Sequence, residues 1–157
     1  MRTLFLFLSL LCSGALLAQE GRTVSIAGGA RRDAAADASW TLRSGTRLLL
    51  RSNAEDAARN VATLKRSALK KKGTLVLTYT PGEAMPGWER TITLYTGADQ
   101  DLQRQTGNSF RLSHKALAAF AKGQKELHLY TMALPTDPNL RSTIRVRRVH
   151  LATIKFL

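Results

Sequence analysis

The sequence predicts an all-β protein that folds as a single antiparallel β-sandwich with one or two short helices. Three observations lead to this prediction. Short segments of alternating apolar and polar residues recur along the chain, they are rich in Thr, Val, Tyr and Ile, and turn residues such as Pro-Gly and Gly-Asn separate them. With 157 residues, of which 44% are hydrophobic, the chain has the length and the apolar content of one globular domain.

The first 18 residues have the pattern of a secretory signal peptide. A positively charged start precedes an apolar run to Leu17, and a small residue, Ala18, precedes a polar stretch, which predicts cleavage after Ala18. We therefore expect a secreted or periplasmic protein. A membrane anchor is disfavoured because the run of about 15 apolar residues is shorter than the roughly 20 that span a bilayer. Lipid attachment at Cys12 is a minor alternative, since the preceding Leu11 is bulky.

Residues 19–38 are small and polar, and they predict a flexible N-terminal arm before a β-sandwich domain at residues 39–157. Because the single cysteine, Cys12, falls within the predicted signal peptide, the mature chain has no cysteine. It is expected to fold without disulfides.

Alternation or a short apolar run predicts the main strands, which lie at residues 40–43, 47–51, 75–79, 90–96, 110–112, 127–129 and 143–156. The last segment is the longest, and its apolar residues change faces twice. This change predicts one bulge near Arg147 and Arg148 and another near Ala152 and Thr153. A bent closing strand is typical of a two-sheet sandwich, here of the immunoglobulin-like or jelly-roll-like kind.

Two segments predict short helices. Residues 53–60 are rich in helix formers behind a capping Ser52 or Asn53, and residues 113–122 have a capping Ser113 and end before Gly123. A faint internal repeat relates residues 64–80 to residues 110–131, because both read as strand, serine, leucine, lysine-glycine, strand. Each copy predicts an arch, with Ser67 or Ser113 as its cap, that carries the chain between the sheets.

The apolar face of these elements predicts the core. Its members are Trp40, Leu48, Leu50, Leu64, Leu75, Leu77, Ile92, Leu94, Phe110, Leu117, Leu127, Leu129, Ile144, Val146, Val149 and Leu151.

No motif of catalysis, cofactor binding or metal binding is recognisable in the sequence. His114, His128 and His150 lack ligand spacing, and the last two lie opposite their apolar neighbours, which predicts solvated surface histidines. Asp99 and Asp101 resemble the start of a calcium loop but lack its further acidic ligands. We therefore predict a non-enzymatic protein without a cofactor or a metal.

Positive charge is the strongest functional signal. The chain has 24 Lys and Arg against 11 Asp and Glu, a net charge of +13. Two stretches without acidic residues supply the candidate polyanion-binding residues, which are Lys65, Arg66, Lys70, Lys71 and Lys72 in the first and Arg145, Arg147 and Arg148 in the second. Such a face attracts acidic glycans, lipopolysaccharide or anionic lipid. The alternative is a solvated face that only aids solubility.

Nucleic acid is not an expected partner, because paired aromatic strands and a basic recognition helix are not recognisable. Trp88, with Glu89 beside it, is a candidate for stacking on a sugar ring; the alternative is a lid on the core. Together these features predict an exported, non-catalytic domain of the cell envelope or extracellular space, with a binding or structural role. Alternatives are a subunit of a larger assembly that pairs through edge strands, and a small hydrolase of envelope polymers.

Overall fold

The structure, a computed structural model, describes residues 37–157. The predicted signal peptide and nearly all of the predicted arm lie outside the described residues. In the described part the elements are, in order, β1 (Ser39–Ser44), β2 (Arg47–Ser52), β3 (Val61–Leu64), a 3-10 helix (Arg66–Lys70), β4 (Thr74–Thr80), β5 (Trp88–Thr96), β6 (Asp101–Thr106), β7 (Ser109–Ser113), α1 (His114–Phe120), β8 (Glu126–Pro135), α2 (Pro138–Thr143) and β9 (Val149–Phe156).

The domain is mostly β, with two sheets and few helices. The four-stranded sheet has the order β2-β1-β4-β7, and the five-stranded sheet has the order β3-β9-β8-β5-β6. Neighbouring strands are antiparallel except for β3 and β9, which pair in parallel, so the expectation of purely antiparallel sheets is wrong at one pair. A parallel pair needs a long connection, and here most of the domain lies between the two strands.

The inner faces of the two sheets contribute to one hydrophobic core. Period-two alternation buries Trp40 and Leu42 on β1, Leu75 and Leu77 on β4, and corresponding residues of β5, β7, β8 and β9. The indole Nε1 of Trp40 donates a hydrogen bond of 2.7 Å to the carbonyl oxygen of Leu151 on β9. This bond ties the four-stranded sheet to the five-stranded one.

The closing strand is shorter than predicted. It begins at Val149, and α2 includes Thr143, the first residue of the predicted strand. Asp137 caps α2, and Pro138 occupies its first turn, where proline is favoured. Residues 144–148 have no regular structure. Ile144 and Val146 are therefore only half-buried and lie outside the core, in contrast to the prediction.

The two predicted bulges have different outcomes. Arg147 and Arg148 precede the strand, so the bulge predicted there is wrong. On β9 the register shifts between the pairs Leu129–Ala152 and Tyr130–His150, which leaves Leu151 as the extra residue, beside the predicted position.

Leu48 was expected in the core, yet 43% of its surface is exposed. The register of β1 against β2 shifts between the pairs Leu42–Leu50 and Arg43–Leu48, so Leu49 is an extra residue in β2. Because one extra residue reverses the faces of a strand, Leu50 packs toward the core while Leu48 lies beside the exposed Arg43. Val149, also predicted as core, is partly buried against it.

Residues 53–60 form turns and not the predicted helix. The Asp56 carboxylate accepts hydrogen bonds from the backbone N–H groups of Ala58 and Arg59, and the Asn60 side chain donates to the carbonyl of Ala54. Such local side-chain bonds compete with helical backbone bonds.

Strand β6 was not predicted. It is an edge strand with a single apolar residue, Leu102, so it lacks the alternation by which the other strands are recognised.

The 3-10 helix joins β3 of the five-stranded sheet to β4 of the four-stranded sheet, and α1 joins β7 back to β8. Both predicted arches therefore connect the sheets. Ser113 caps α1 by accepting a 3.2 Å bond from the N–H of Ala116, and Gly123, at φ +76°, follows the helix. Ser67 lies within the 3-10 helix and does not cap it.

Candidate functional site

The 3-10 helix and α1 contact each other, and a groove runs between them. It consists of two adjoining depressions of about 490 and 340 Å³ that share Leu69, Lys70 and Ala118. These volumes fall within the range of about 300–1,000 Å³ that is typical of small-molecule sites. We call this feature the lysine groove and define it by an apolar floor and a basic rim, which are Leu69, Ala118 and Ala121 for the floor and Lys70, Lys71, Lys72, Lys115 and Lys122 for the rim.

The floor is apolar because small and hydrophobic residues meet there. Leu69 and Ala121 are buried, with 6% and 1% of their surfaces exposed, while Ala118 is exposed on α1. The alanine content of α1 leaves space above the floor that longer side chains would fill. The groove thus exists because α1 and the residue after it present small alanine side chains, Ala118 and Ala121, on the face toward the 3-10 helix.

The rim carries only positive charge. Its five lysines are exposed, and among the described residues no carboxylate lines either depression. Every ion pair formed within residues 37–157 uses an arginine or a histidine, and none uses a lysine. Because no carboxylate in this part of the chain neutralises the rim charges, their fields add and attract anions.

Arg66 lines the second depression and also anchors the end of α1, so its positive charge adds to that of the rim lysines. Its guanidinium donates hydrogen bonds of 2.8 Å to the carbonyl of Ala121 and 2.5 Å to that of Gln124, and it lies 5.1 Å from the centre of the Phe156 ring. These bonds satisfy carbonyls that the end of α1 leaves without helical partners. Lys65 is exposed and does not line the groove.

His114 fixes the backbone of the lysine segment, residues 70–72, by a hydrogen bond to Lys71. Its ring is buried, with Nδ1 3.1 Å from the carbonyl oxygen of Lys71 and Nε2 2.9 Å from the hydroxyl of Ser44. A carbonyl only accepts, so Nδ1 carries a proton and, in the neutral ring, Nε2 accepts from Ser44. Gly73 makes this approach possible, because a Cβ atom there would lie 2.4 Å from Cε1 of His114.

The C-terminal arginines lie elsewhere and are mostly paired. Arg147 forms an ion pair with Glu55, and Arg148 forms one of 2.8 Å with Asp99, whose hydrogen bond raises the pKa of Arg148. None of the three predicted arginines lines the lysine groove. The structure thus separates the two predicted basic sets, and only Arg145 of the second set lies outside the ion pairs of the described residues.

Arg148 also covers a cluster of aromatic residues. Its guanidinium lies 4.2 Å from the ring centre of Tyr130 and 4.9 Å from that of Tyr95. Tyr95 is 7% exposed although it lies on the opposite face of β5 from the core residue Leu94. The segment before β9 therefore packs on this outer face of the five-stranded sheet.

His128 and His150 belong to the same cluster, so the prediction of solvated histidines is wrong. Both are half-buried, and both hydrogen-bond to the hydroxyl of Thr153, through Nδ1 of His128 at 3.1 Å and Nε2 of His150 at 3.0 Å. Nε2 of His128 lies 3.4 Å from a carboxylate oxygen of Glu126, which only accepts. The donors therefore run from His150 to Thr153, from Thr153 to His128, and from His128 toward Glu126.

The residues considered for metal or sugar chemistry are dispersed. Asp99 and Asp101 pair with different arginines, Arg148 and Arg104. Within residues 37–157, no group of three or more His, Cys, Asp or Glu residues is arranged to hold a metal ion.

Trp88 begins β5, is 38% exposed and lies outside the core. It lines a cavity of about 100 Å³ together with Met85 and Arg90, and the neighbouring Glu89 lies 3.8 Å from Arg141. The lid role considered for Trp88 is therefore not what the structure shows, and its indole remains accessible.

Two rim residues, Lys115 and Lys122, were not predicted as site residues. They are seven positions apart on or just after α1, with Ala118 between them, and this spacing places them on one helix face. That spacing was visible in the sequence, but its relation to Lys70–Lys72 depends on the contact of the two helices.

No helix within residues 37–157 combines the length and apolar character that crossing a bilayer requires. Comparison with protein-family models, curated proteins and solved structures finds no match to this chain. The functional assignment of the lysine groove therefore depends on its geometry and charge.

Proposed function

We propose that this is an exported, non-catalytic β-sandwich protein that binds polyanionic components of the cell envelope or extracellular space through the lysine groove. The sandwich assignment is supported by the single core that both sheets share and by the Trp40–Leu151 bond between them. Export is supported by the composition of residues 1–18, with a mature chain beginning at Gln19. N-terminal sequencing of the exported protein tests this start directly.

The observation that carries the binding proposal is a set of five lysines around one apolar-floored groove, for which residues 37–157 provide no carboxylate partner. Isolated surface lysines only aid solubility, but several around one depression act on the same ligand. Suitable ligands carry closely spaced phosphates or carboxylates, as acidic glycans and lipopolysaccharide do.

Charge reversal at the rim tests the proposal. In the triple variant Lys70→Glu, Lys71→Glu and Lys72→Glu, we expect affinity for heparin to fall by roughly 100-fold, because each lysine near an anionic surface contributes about 1 kcal/mol. Affinity of the parent protein should also fall steeply between low and high salt, since salt screens exposed charges. Fluorescence titration at several salt concentrations measures both effects.

The matched control changes the same number of charges on another surface. Arg47, Arg51 and Arg59 are exposed on and after β2, and their reversal to Glu should reduce heparin affinity by less than fivefold. Equal losses in the two triple variants would show that only the overall charge matters, and the proposed site would then be wrong.

A further inference from the structure

The lysine groove combines a basic rim with a floor that no hydrophilic polyanion uses. Heparin and other soluble glycans are hydrated along their whole length, so they pair with the lysines but leave the alanine floor in water. A ligand that uses both parts needs an anionic head and a hydrocarbon part. We infer that the groove binds an anionic phospholipid, with its phosphate at the lysine rim and an acyl chain along the floor; this inference rests on the proposed function.

The cations of the groove suit a phosphate head. The five rim lysines act as compact point charges toward phosphate, and Arg66, which lines the second depression, adds a further positive charge. Two of the Arg66 N–H groups donate to backbone carbonyls. Because lysine also binds carboxylates, the choice of a lipid over an acidic peptide depends on the apolar floor.

The floor and the rim are also close enough to act on one molecule. Lys70 and Ala118 line both depressions, and Leu69 lies beneath both of them. The methylene stems of the lysines extend the apolar surface upward from the floor while their ammonium groups remain in water. One acyl chain can therefore lie between the 3-10 helix and α1 while its headgroup remains within the field of the rim.

The imidazole of His114 lies at one end of the groove. Both ring nitrogens have hydrogen-bond partners, Lys71 and Ser44, and the ring is buried. The selective element is therefore the apolar floor, and the chain length of the lipid should control affinity.

Chain length is tested with the purified parent protein and short phosphatidylglycerols below their micelle-forming concentrations. Each fully buried methylene strengthens binding about fourfold. For one chain in an open groove, dioctanoyl phosphatidylglycerol should bind at least about tenfold more tightly than the dibutanoyl form. Dioctanoyl phosphatidylcholine, which has no net negative charge, should bind at least about tenfold more weakly than its phosphatidylglycerol counterpart.

A pair of substitutions on α1 locates the chain. Ala118 and Ala119 are both exposed on α1, but only Ala118 lines the groove. Ala118→Leu fills the floor and should weaken dioctanoyl phosphatidylglycerol at least about tenfold, whereas Ala119→Leu should change it less than twofold. Heparin affinity should be unchanged in both variants because the rim lysines remain.

The outcomes separate this inference from the proposed function. If heparin binding depends on the lysines but lipid affinity changes neither with chain length nor with Ala118→Leu, the inference is overturned. The proposed function is then unaffected. Tighter binding of an acidic amphipathic peptide than of the lipid would also overturn it. If the lysine triple variant retained its affinity for both heparin and the lipid, the proposed function itself would be contradicted.

Discussion

Gly73 is the residue on which the close packing of His114 depends. Substitution Gly73→Ala places a Cβ atom 2.4 Å from the imidazole, which two hydrogen bonds hold in position. We expect the free energy of unfolding to fall by about 1–3 kcal/mol, the usual cost of overpacking. Urea denaturation measures this loss.

Gly97→Ala is the matched control, because a Cβ atom there meets only ordinary contacts, at 3.8 Å or more. It should change stability by less than about 0.5 kcal/mol. The double variant Gly73→Ala with His114→Ala should lose less stability than the two single variants combined, and strict additivity of the two changes would contradict the contact.

His150 is the residue at which protonation acts on the fold. Burial of its ring and, secondly, the nearby His128 lower its pKa from the ordinary value of 6.5. Its Nδ1 is buried and has no hydrogen-bond partner among residues 37–157, so a proton there would gain no acceptor from them. Because the unfolded chain binds this proton more readily, stability should fall as the pH drops below about 6.5 and through the lowered pKa.

The variant His150→Gln removes this contribution. Thermal unfolding between pH 7.5 and pH 5 should therefore show a smaller loss of stability for the variant than for the parent protein. Parallel pH profiles would show that the titration of His150 does not affect folding.

At the scale of elements, the bulge in β9 and strand β1 stabilise each other. The extra residue, Leu151, presents its carbonyl to the indole of Trp40 across the core. In Trp40→Phe the ring and its stacking on Tyr79 are largely kept, but the buried carbonyl loses its donor, which costs about 1–3 kcal/mol.

Chemical denaturation of Trp40→Phe measures this cost. Trp88→Phe is the comparison, since Trp88 is 38% exposed and lies outside the core, and it should change stability by less than about 0.5 kcal/mol. Similar losses in the two variants would refute the importance of the bond.

The elements also show where local patterns succeed and where they do not. Alternation correctly predicts β4 and β5, because apolar residues at alternate positions of each strand are buried. Leu75 and Leu77 are fully buried on β4, and Ile92 and Leu94 are fully buried on β5. It misplaces Leu48, because the extra residue in β2 depends on pairing with β1. It misses β6, because an edge strand with one apolar residue forms only against β5.

At the scale of the whole molecule, charge and edge strands bear on self-association. Leu48 is exposed on the edge strand β2, with Arg47 beside it. Charged edges oppose strand pairing between copies, so we expect sedimentation equilibrium to give the mass of one chain. A dimer that Leu48→Lys dissociates would instead support the alternative of an assembly through edge strands.

The candidate site was only partly predictable. The positive run at Lys70–Lys72 is a local property and is visible in the sequence. Arg66 donates to the carbonyl of Ala121 at the end of α1, and Arg148 donates to Asp99. These partners lie about 50 residues away in the sequence or more, so local patterns do not predict them. The joining of Lys115 and Lys122 to the same groove likewise depends on the packing of α1 against the 3-10 helix.

Periodicity, capping and composition act over a few neighbouring residues, and for this reason the β-rich class, the capped helix α1 and the excess of positive charge can be recognised in the sequence. The pairing of charges, the burial of histidines and the position at which a bulge reverses a strand depend on the folded chain. These properties depend on contacts between segments that are far apart in the sequence, and such contacts form only when the two sheets pack on one core.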